Sequence, residues 1–93
     1  MLSTFDENFQ RIRDVEQFAM DSLSRGGLYG DGSIAEAELH CQGYAGENNP
    51  PHDVVIGCRI KRMANGNHRH TFTLNGKPIA CHKITLRLGE LGV

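Results

Sequence analysis

The first quarter of the chain has the hydrophobic periodicity of an amphipathic helix. Apolar residues recur at steps of three and four and form one stripe: Phe5, Phe9, Ile12, Val15, Ala19 and Leu23. Thr4 and Glu7 have the spacing of a capping box, and Gly26 and Gly27 provide a stop. The pattern therefore predicts a helix over about residues 5–24.

The next two segments are less regular. Residues 26–33 contain four glycines but no lysine, and they follow a predicted helix. Phosphate-binding loops follow a strand and open a helix, so we interpret this connector as a plain turn. In segment 34–44, Ser33 and Glu36 repeat the capping-box spacing, yet apolar and polar residues alternate. We favour a strand there, because the rest of the chain has the pattern of a sheet.

Three alternating runs follow a loop at residues 45–52, in which Pro50 and Pro51 continue neither a helix nor a ladder. Strands are predicted over residues 53–63, 68–74 and 78–88, separated by two Asn-Gly turns. Asn-Gly between alternating runs is typical of hairpins, so these strands form a meander.

The length of the two turns decides which side chains share a face. With two-residue loops at both turns, Phe72 shares a face with Cys81, Lys83 and Arg87. With three-residue loops that end in a left-handed glycine, Met63 pairs with Asn67 and Thr73 with Lys77. We favour the second geometry, because it collects the apolar residues on one face beneath the helix. That face comprises Val54, Ile56, Cys58, Ile60, His70, Phe72, Leu74, Ala80, Ile84, Leu86 and Leu88.

These elements predict one α+β domain over residues 1–93, in which an N-terminal helix packs on a four-stranded antiparallel sheet in the order α-β-β-β-β. A core of this size leaves about 5–10 kcal/mol of net stability, so the sequence also allows a homodimer that covers exposed apolar surface. The start of the chain does not resemble a secretory signal, and no apolar run reaches the ~18 residues of a membrane span. Three cysteines without framework spacing suit reduced thiols. We therefore expect a cytoplasmic protein with no membrane partner.

Charge is sorted along the chain and changes the functional picture. Residues 1–53 carry three basic and ten acidic side chains, a net charge of −7. Residues 54–93 carry seven basic side chains and one acidic side chain, a net charge of +6. Such asymmetry indicates a polyanionic partner, although contact between the acidic and basic halves would give the same numbers.

In the favoured register, basic residues and threonines share the sheet face opposite the helix. The candidate contacts are Arg59, Lys61, Arg69, Lys83 and Arg87, interleaved with Thr71, Thr73 and Thr85, with His68 beside them. Lys61 falls directly across from Arg69, and like charges opposite each other destabilise a ladder. Arg, Lys and Thr donate well to phosphate oxygens, whereas the aromatic residues that stack bases are missing. The face therefore predicts contact with a nucleic-acid backbone rather than sequence-specific reading.

A purely structural role for these charges has about equal weight. If segment 34–44 pairs with 53–63, Glu36 and Glu38 share the face of Arg59 and Lys61. Cross-strand ion pairs would then account for part of the basic surface. His68, Arg69, Lys83 and Arg87 lie farther from these acids and are then the better candidates for external contact.

Metal and catalytic sites are not predicted. Five histidines and three cysteines lie between residues 40 and 82, but none have the local pair spacing of zinc sites. His68 would lie across from His82 on the meander, which gives two ligands and no clear third. Cys81 with His70 or His82 lacks a third group to orient the base. We therefore expect no cofactor and no enzymatic activity.

The sequence thus predicts a small non-enzymatic binding protein that contacts nucleic acid or a nucleoprotein through a basic sheet face. The alternative is an inhibitor or adaptor encoded by a phage or mobile element, of the anti-CRISPR kind, that docks on a larger host protein assembly. Its acidic half would compete for a site that normally holds nucleic acid. This alternative follows from an analogy of size and charge and not from a motif.

Overall fold

The computed structural model describes residues 4–25, 32–44, 46 and 50–93. These residues form six elements in chain order: α1 (Thr4–Arg25), β1 (Ile34–Gly43), β2 (His52–Arg62), β3 (His68–Leu74), β4 (Lys77–Ile79) and α2 (Cys81–Glu90). The strands make one antiparallel sheet in the order β1-β2-β3-β4. The predicted α+β class and the N-terminal helix on a four-stranded antiparallel sheet are confirmed, and α2 is an additional element.

Helix α1 forms where the apolar stripe predicts it and packs against β1 and β2. Ile12, Val15, Ala19 and Leu23 of the stripe are buried, whereas Phe9 is 48% exposed. Between the buried positions, acidic and amide side chains face solvent, which keeps the helix amphipathic. The capping side chain of Thr4, most of the connector at residues 26–33 and half of the loop at residues 45–52 lie outside the described residues.

Segment 34–44 is a strand, as favoured from its alternation. β1 pairs with β2 so that Ala35 faces Ile60 and Glu36 faces Arg59. The helix-favouring composition of this segment is overridden, because a strand here buries Ala35 beneath α1 and fills the position beside β2.

The first hairpin has the predicted register. The Met63 amide donates to the Asn67 carbonyl at 2.8 Å, and Gly66 has a φ of +84° at the end of the three-residue loop. The amide of Gly66 also donates to the Met63 carbonyl at 3.0 Å. Parity is therefore preserved between β2 and β3, and Cys58 lies across from Phe72.

The second hairpin has a two-residue loop, so the predicted pairing of Thr73 with Lys77 is wrong. Lys77 pairs with Leu74, and both loop residues have positive φ: 52° at Asn75 and 84° at Gly76. Two hydrogen bonds to Val55 hold Asn75 in this conformation. The Val55 amide donates to the Asn75 side-chain oxygen, and the Asn75 amide donates to the Val55 carbonyl, each at 2.9 Å. These bonds favour the tight turn over the three-residue one.

The predicted strand over residues 78–88 is wrong beyond Ile79. Residues Cys81–Glu90 form helix α2, which packs against α1 and buries Ile84 and Leu88. Ala80 is the N-cap residue that precedes α2 and is exposed, and Leu86 is 70% exposed, so neither joins the core as predicted. A helix forms here instead of a strand because Ile84 and Leu88, four residues apart, lie on one helical face and are buried together.

The two faces of the sheet have different environments. The core face lies beneath the helices and buries Ala35, Val54, Ile56, Cys58, Ile60, Phe72 and Leu74. We call the other side the open face; it holds Ile34, Glu36, Glu38, His40 and Gln42 of β1, Asp53, Val55, Gly57, Arg59 and Lys61 of β2, and Arg69, Thr71 and Thr73 of β3. Within the described ranges, no helix has the length and apolar character needed to cross a membrane.

Candidate nucleic-acid interface

Three of the six predicted contact residues lie together on the open face. Arg59 and Lys61 are two residues apart on β2, and Lys61 lies directly across from Arg69 on β3. All three side chains are exposed. We call Arg59, Lys61 and Arg69 the hairpin cluster, because they flank the turn that joins β2 to β3.

Two members of the hairpin cluster have no acidic partner within the described part of the chain. Arg59 binds Glu36 of β1 at 2.6 Å, with both side chains more than half exposed, so the predicted ion pair across β1 and β2 is confirmed. Lys61 faces Ile34 on β1 and Arg69 on β3, and neither Lys61 nor Arg69 makes an ion pair with another described residue. The structural interpretation of the charges therefore applies to Arg59, whereas Lys61 and Arg69 remain available to an external anion.

A shallow depression lies beside the hairpin cluster, with a volume of about 230 Å³. Gly57 forms its floor and leaves no room for a side chain, because a Cβ atom added at this position would lie 2.4 Å from the Thr73 hydroxyl oxygen. Glu36 and Glu38 line one side, and threonines of β3 line the other. The carboxylates make this part of the open face unfavourable for phosphate, whereas the end that holds Lys61 and Arg69 carries no acidic side chain in the described strands.

His68 does not join this cluster. It lies across from Arg62, on the side of the sheet that also carries the core residues, and it is half-buried. Its Nε2 atom is buried and has no hydrogen-bond partner among the described residues. The predicted position of His68 across from His82 is also wrong, because His82 lies in α2.

Lys83 and Arg87 lie in α2 and not on the sheet. Both side chains are exposed and are four residues apart, hence on one helical face. Arg87 donates to Glu90 at 2.8 Å within the helix. The predicted basic surface is thus divided between the hairpin cluster on the open face and a second pair on the helical layer.

A side-chain contact between α1 and β3 has no counterpart in the sequence-based predictions. His70 Nδ1 lies 2.7 Å from a carboxylate oxygen of Glu16. His70 is on the core face as predicted, but its position at the end of the apolar row lets the ring reach the polar flank of α1. Glu16 belongs to α1 on the core side of the sheet, so this acid does not neutralise the hairpin cluster on the open face.

The cysteines are thiols in different environments, and none forms part of a metal site among the described residues. Burial raises the pKa of the Cys58 thiol to about 12, with smaller contributions from Glu16 and Cys81. Burial and Glu16 also raise the pKa of the Cys81 thiol, although this residue is exposed. Because the thiolate is the reactive form, Cys58 has the character of a core residue and not of a nucleophile.

We expect Cys81 to react with iodoacetamide at pH 8 on the order of a hundredfold faster than Cys58 in the folded protein. The Cys58 thiol has a raised pKa and is only 3% exposed. Little of it is therefore in the reactive thiolate form, and the reagent has little access to it. Peptide mass spectrometry over a labelling time course measures the two rates, and labelling in denaturant is the control. Equal rates in the folded protein would show that the core face is open to solvent.

Comparisons with protein-family models, with curated proteins and with solved structures give no match to this chain.

Proposed function

We propose that this protein binds nucleic acid, free or within a nucleoprotein, through the phosphates and without catalysis. The observation that carries the proposal is the placement of Lys61 directly across from Arg69 on the open face. Two exposed like charges at this spacing destabilise the ladder that holds them, and a bound polyanion removes that cost. We expect the protein in the cytoplasm, because its three cysteines are free thiols and thiols stay reduced in that compartment.

The chemistry of the hairpin cluster suits a phosphate backbone. Arginine binds phosphate oxygens through two parallel N–H groups, and lysine acts as a compact point charge. The described open face of β2 and β3 has no aromatic residue on which a base could stack. Affinity should therefore depend on charge and salt, and little on nucleotide sequence.

Fluorescence anisotropy with labelled duplex DNA and single-stranded RNA tests the proposal. The two phosphate contacts of Lys61 and Arg69 predict a slope of about −1.8 in a plot of log K against log salt on duplex DNA. The double variant Lys61→Glu and Arg69→Glu should lose binding at low salt, because two contacts become repulsive. Scrambling the nucleic-acid sequence should change affinity less than about threefold.

The matched control changes the same number of charges on the other surface. Lys83→Glu with Arg87→Glu alters the net charge equally but lies on α2. This variant should retain most of the affinity, and thermal melting should show that both double variants are folded. Failure of the native protein to bind DNA or RNA at low salt would contradict the proposal, and equal losses in both variants would show that only net charge matters.

A second candidate function is supported by a row of acids on α1. Glu7, Asp14 and Asp21 are spaced by seven residues and therefore follow one line along the helix. Gln10 and Gln17 donate to Asp14 and Asp21 at 2.8 and 2.9 Å, which fixes the two carboxylates. A row of acids along one helix line suits an inhibitor or adaptor, encoded by a phage or mobile element, that covers the basic groove of a larger host protein assembly.

Capture from nuclease-treated lysate, followed by mass spectrometry, separates the two functions. A nucleic-acid-binding assembly that is retained after nuclease treatment, and lost on Glu7→Gln, Asp14→Asn and Asp21→Asn, would support the inhibitor or adaptor. Lys61→Glu with Arg69→Glu is the matched control, because it leaves the acidic row intact. Capture that disappears with nuclease treatment would instead support direct binding of nucleic acid.

A further inference from the structure

The two edges of the sheet are unequal. The β4 edge has three residues and includes Pro78, which cannot donate a ladder hydrogen bond. The β1 edge extends over ten residues without proline, and no described element pairs with its outer side. Long open edges present unpaired backbone groups that a further strand can bind.

The core side of β1 is incompletely covered. Ala37, Leu39 and Cys41 are only half-buried, whereas their neighbours on β2 are buried. Helix α1, which carries Arg11, packs against β1; burial raises the pKa of the Cys41 thiol on this strand, and the Arg11 guanidinium partly offsets the rise. Phe18 follows Arg11 by seven residues, so it lies on the same flank of α1, and it is 48% exposed.

We propose that β1 pairs antiparallel with β1 of a second copy of this chain, with Leu39 at the two-fold axis. A two-fold axis perpendicular to the sheet allows only registers centred on one residue. It also keeps both open faces on the same side and both copies of α1 on the other. The two Phe18 side chains then flank the joint between the copies, above the half-buried row.

The pairing of charged side chains favours a two-fold axis at Leu39 over an axis at the other central positions of β1. A centre at Glu38 places that residue opposite its own copy, and a centre at Ala37 places Glu36 opposite Glu38. A centre at Leu39 places Glu38 opposite His40 twice, and like charges no longer face each other. Within one chain these two side chains are already 3.2 Å apart, so the dimer forms a four-member cluster of alternating acids and imidazoles.

The same register avoids a repulsive pair towards the ends of the strand. With Leu39 at the centre, Glu36 of each copy lies opposite Gln42 of the other, a neutral partner. Tyr44, one residue beyond β1, is already engaged, because its amide donates to the Gly92 carbonyl at 3.3 Å. The ladder between the copies therefore covers residues 35–43. A centre at His40 loses the pairing of Glu38 with His40 and places two histidines opposite each other.

Sedimentation of the purified chain, without nucleic acid, tests the proposal independently of the proposed function. The native protein should show a reversible monomer–dimer equilibrium over a concentration series. His40→Glu places acids opposite Glu38 at both sites and should weaken the dimer roughly tenfold. Thr71→Glu, an equal charge change on the open face of β3, should leave the equilibrium unchanged, and circular dichroism should show that both variants are folded.

A mixture of two variants tests the register. Glu38→Lys places a lysine where it faces position 40 of the partner, so it should form a heterodimer with His40→Glu that is tighter than either homodimer. The expected Kd is at least roughly tenfold below that of the His40→Glu homodimer. A native protein that stays monomeric at all concentrations, a dimer that His40→Glu does not weaken, or a mixture without preferential heterodimers would each overturn the proposal.

Discussion

Replacing Phe72 by aspartate is expected to abolish the folded state. Phe72 is 5% exposed on the core face, across from Cys58 on β2 and Ile79 on β4. Loss of a buried phenyl ring alone costs about 3–5 kcal/mol, and the carboxylate adds the cost of a buried charge without a partner. The sum is comparable with the whole stability of about 5–10 kcal/mol expected for a domain of this size.

Thr71→Asp is the matched control for this prediction, because the neighbouring residue points to the opposite side of the sheet. Thr71 is exposed on the open face, and its hydroxyl donates to the Arg59 carbonyl at 3.4 Å. We expect the variant to lose no more than about 1 kcal/mol. Urea unfolding followed by circular dichroism measures both variants. A similar loss of stability in the two variants would show that the faces of β3 are assigned wrongly.

The fold could be predicted from the sequence where one local signal decided between alternatives. The stripe of α1 has a single period, and the β2–β3 register depends on Gly66, whose φ of +84° suits the third position of a three-residue loop. The β3–β4 turn has the same Asn-Gly sequence but a different geometry. Its conformation depends on hydrogen bonds between Asn75 and Val55, twenty residues apart, which sequence pattern does not reveal.

The candidate site could be predicted only where local sequence signals determine how the strands pair. Lys61 across from Arg69 follows from the β2–β3 turn, whose predicted geometry is correct. Glu36 on the face of Arg59 follows from the pairing of segment 34–44 with β2. The predicted contribution of Lys83 and Arg87 depended on a strand that the chain does not form beyond Ile79.

The segment at residues 81–90 carries two periodicities at once, and the sequence-based interpretation followed only one of them. Ile84, Leu86 and Leu88 alternate with polar residues as a strand requires. Ile84, Leu88 and Leu91 are also spaced by four and three, as a helix requires. The two patterns differ in their treatment of Leu86, which a strand buries with Ile84 and Leu88 and a helix leaves outside. Its 70% exposure shows that the helical pattern prevails.

Replacing Leu86 by proline should therefore cost about 3 kcal/mol or more. In the interior of α2, proline removes the amide that bonds to the carbonyl of His82, and its ring clashes with that carbonyl. Little packing is lost, because the leucine side chain is largely in solvent. Since α2 buries Ile84 and Leu88 against α1 and the sheet, the loss should appear in the global unfolding transition, measured by circular dichroism in urea.

Leu86→Ala separates the backbone effect from the loss of the side chain. Alanine is the best helix former and residue 86 is exposed, so we expect a change within about 0.5 kcal/mol of the native protein. If residues 81–90 were instead an edge strand beyond β4, proline would be tolerated wherever the missing amide faces solvent. The alanine variant would then lose stability, because a strand buries Leu86 beside Ile84 and Leu88. A native-like Leu86→Pro together with a destabilised Leu86→Ala would contradict helix α2, whereas the reverse order follows from a helix with Leu86 on its solvent side.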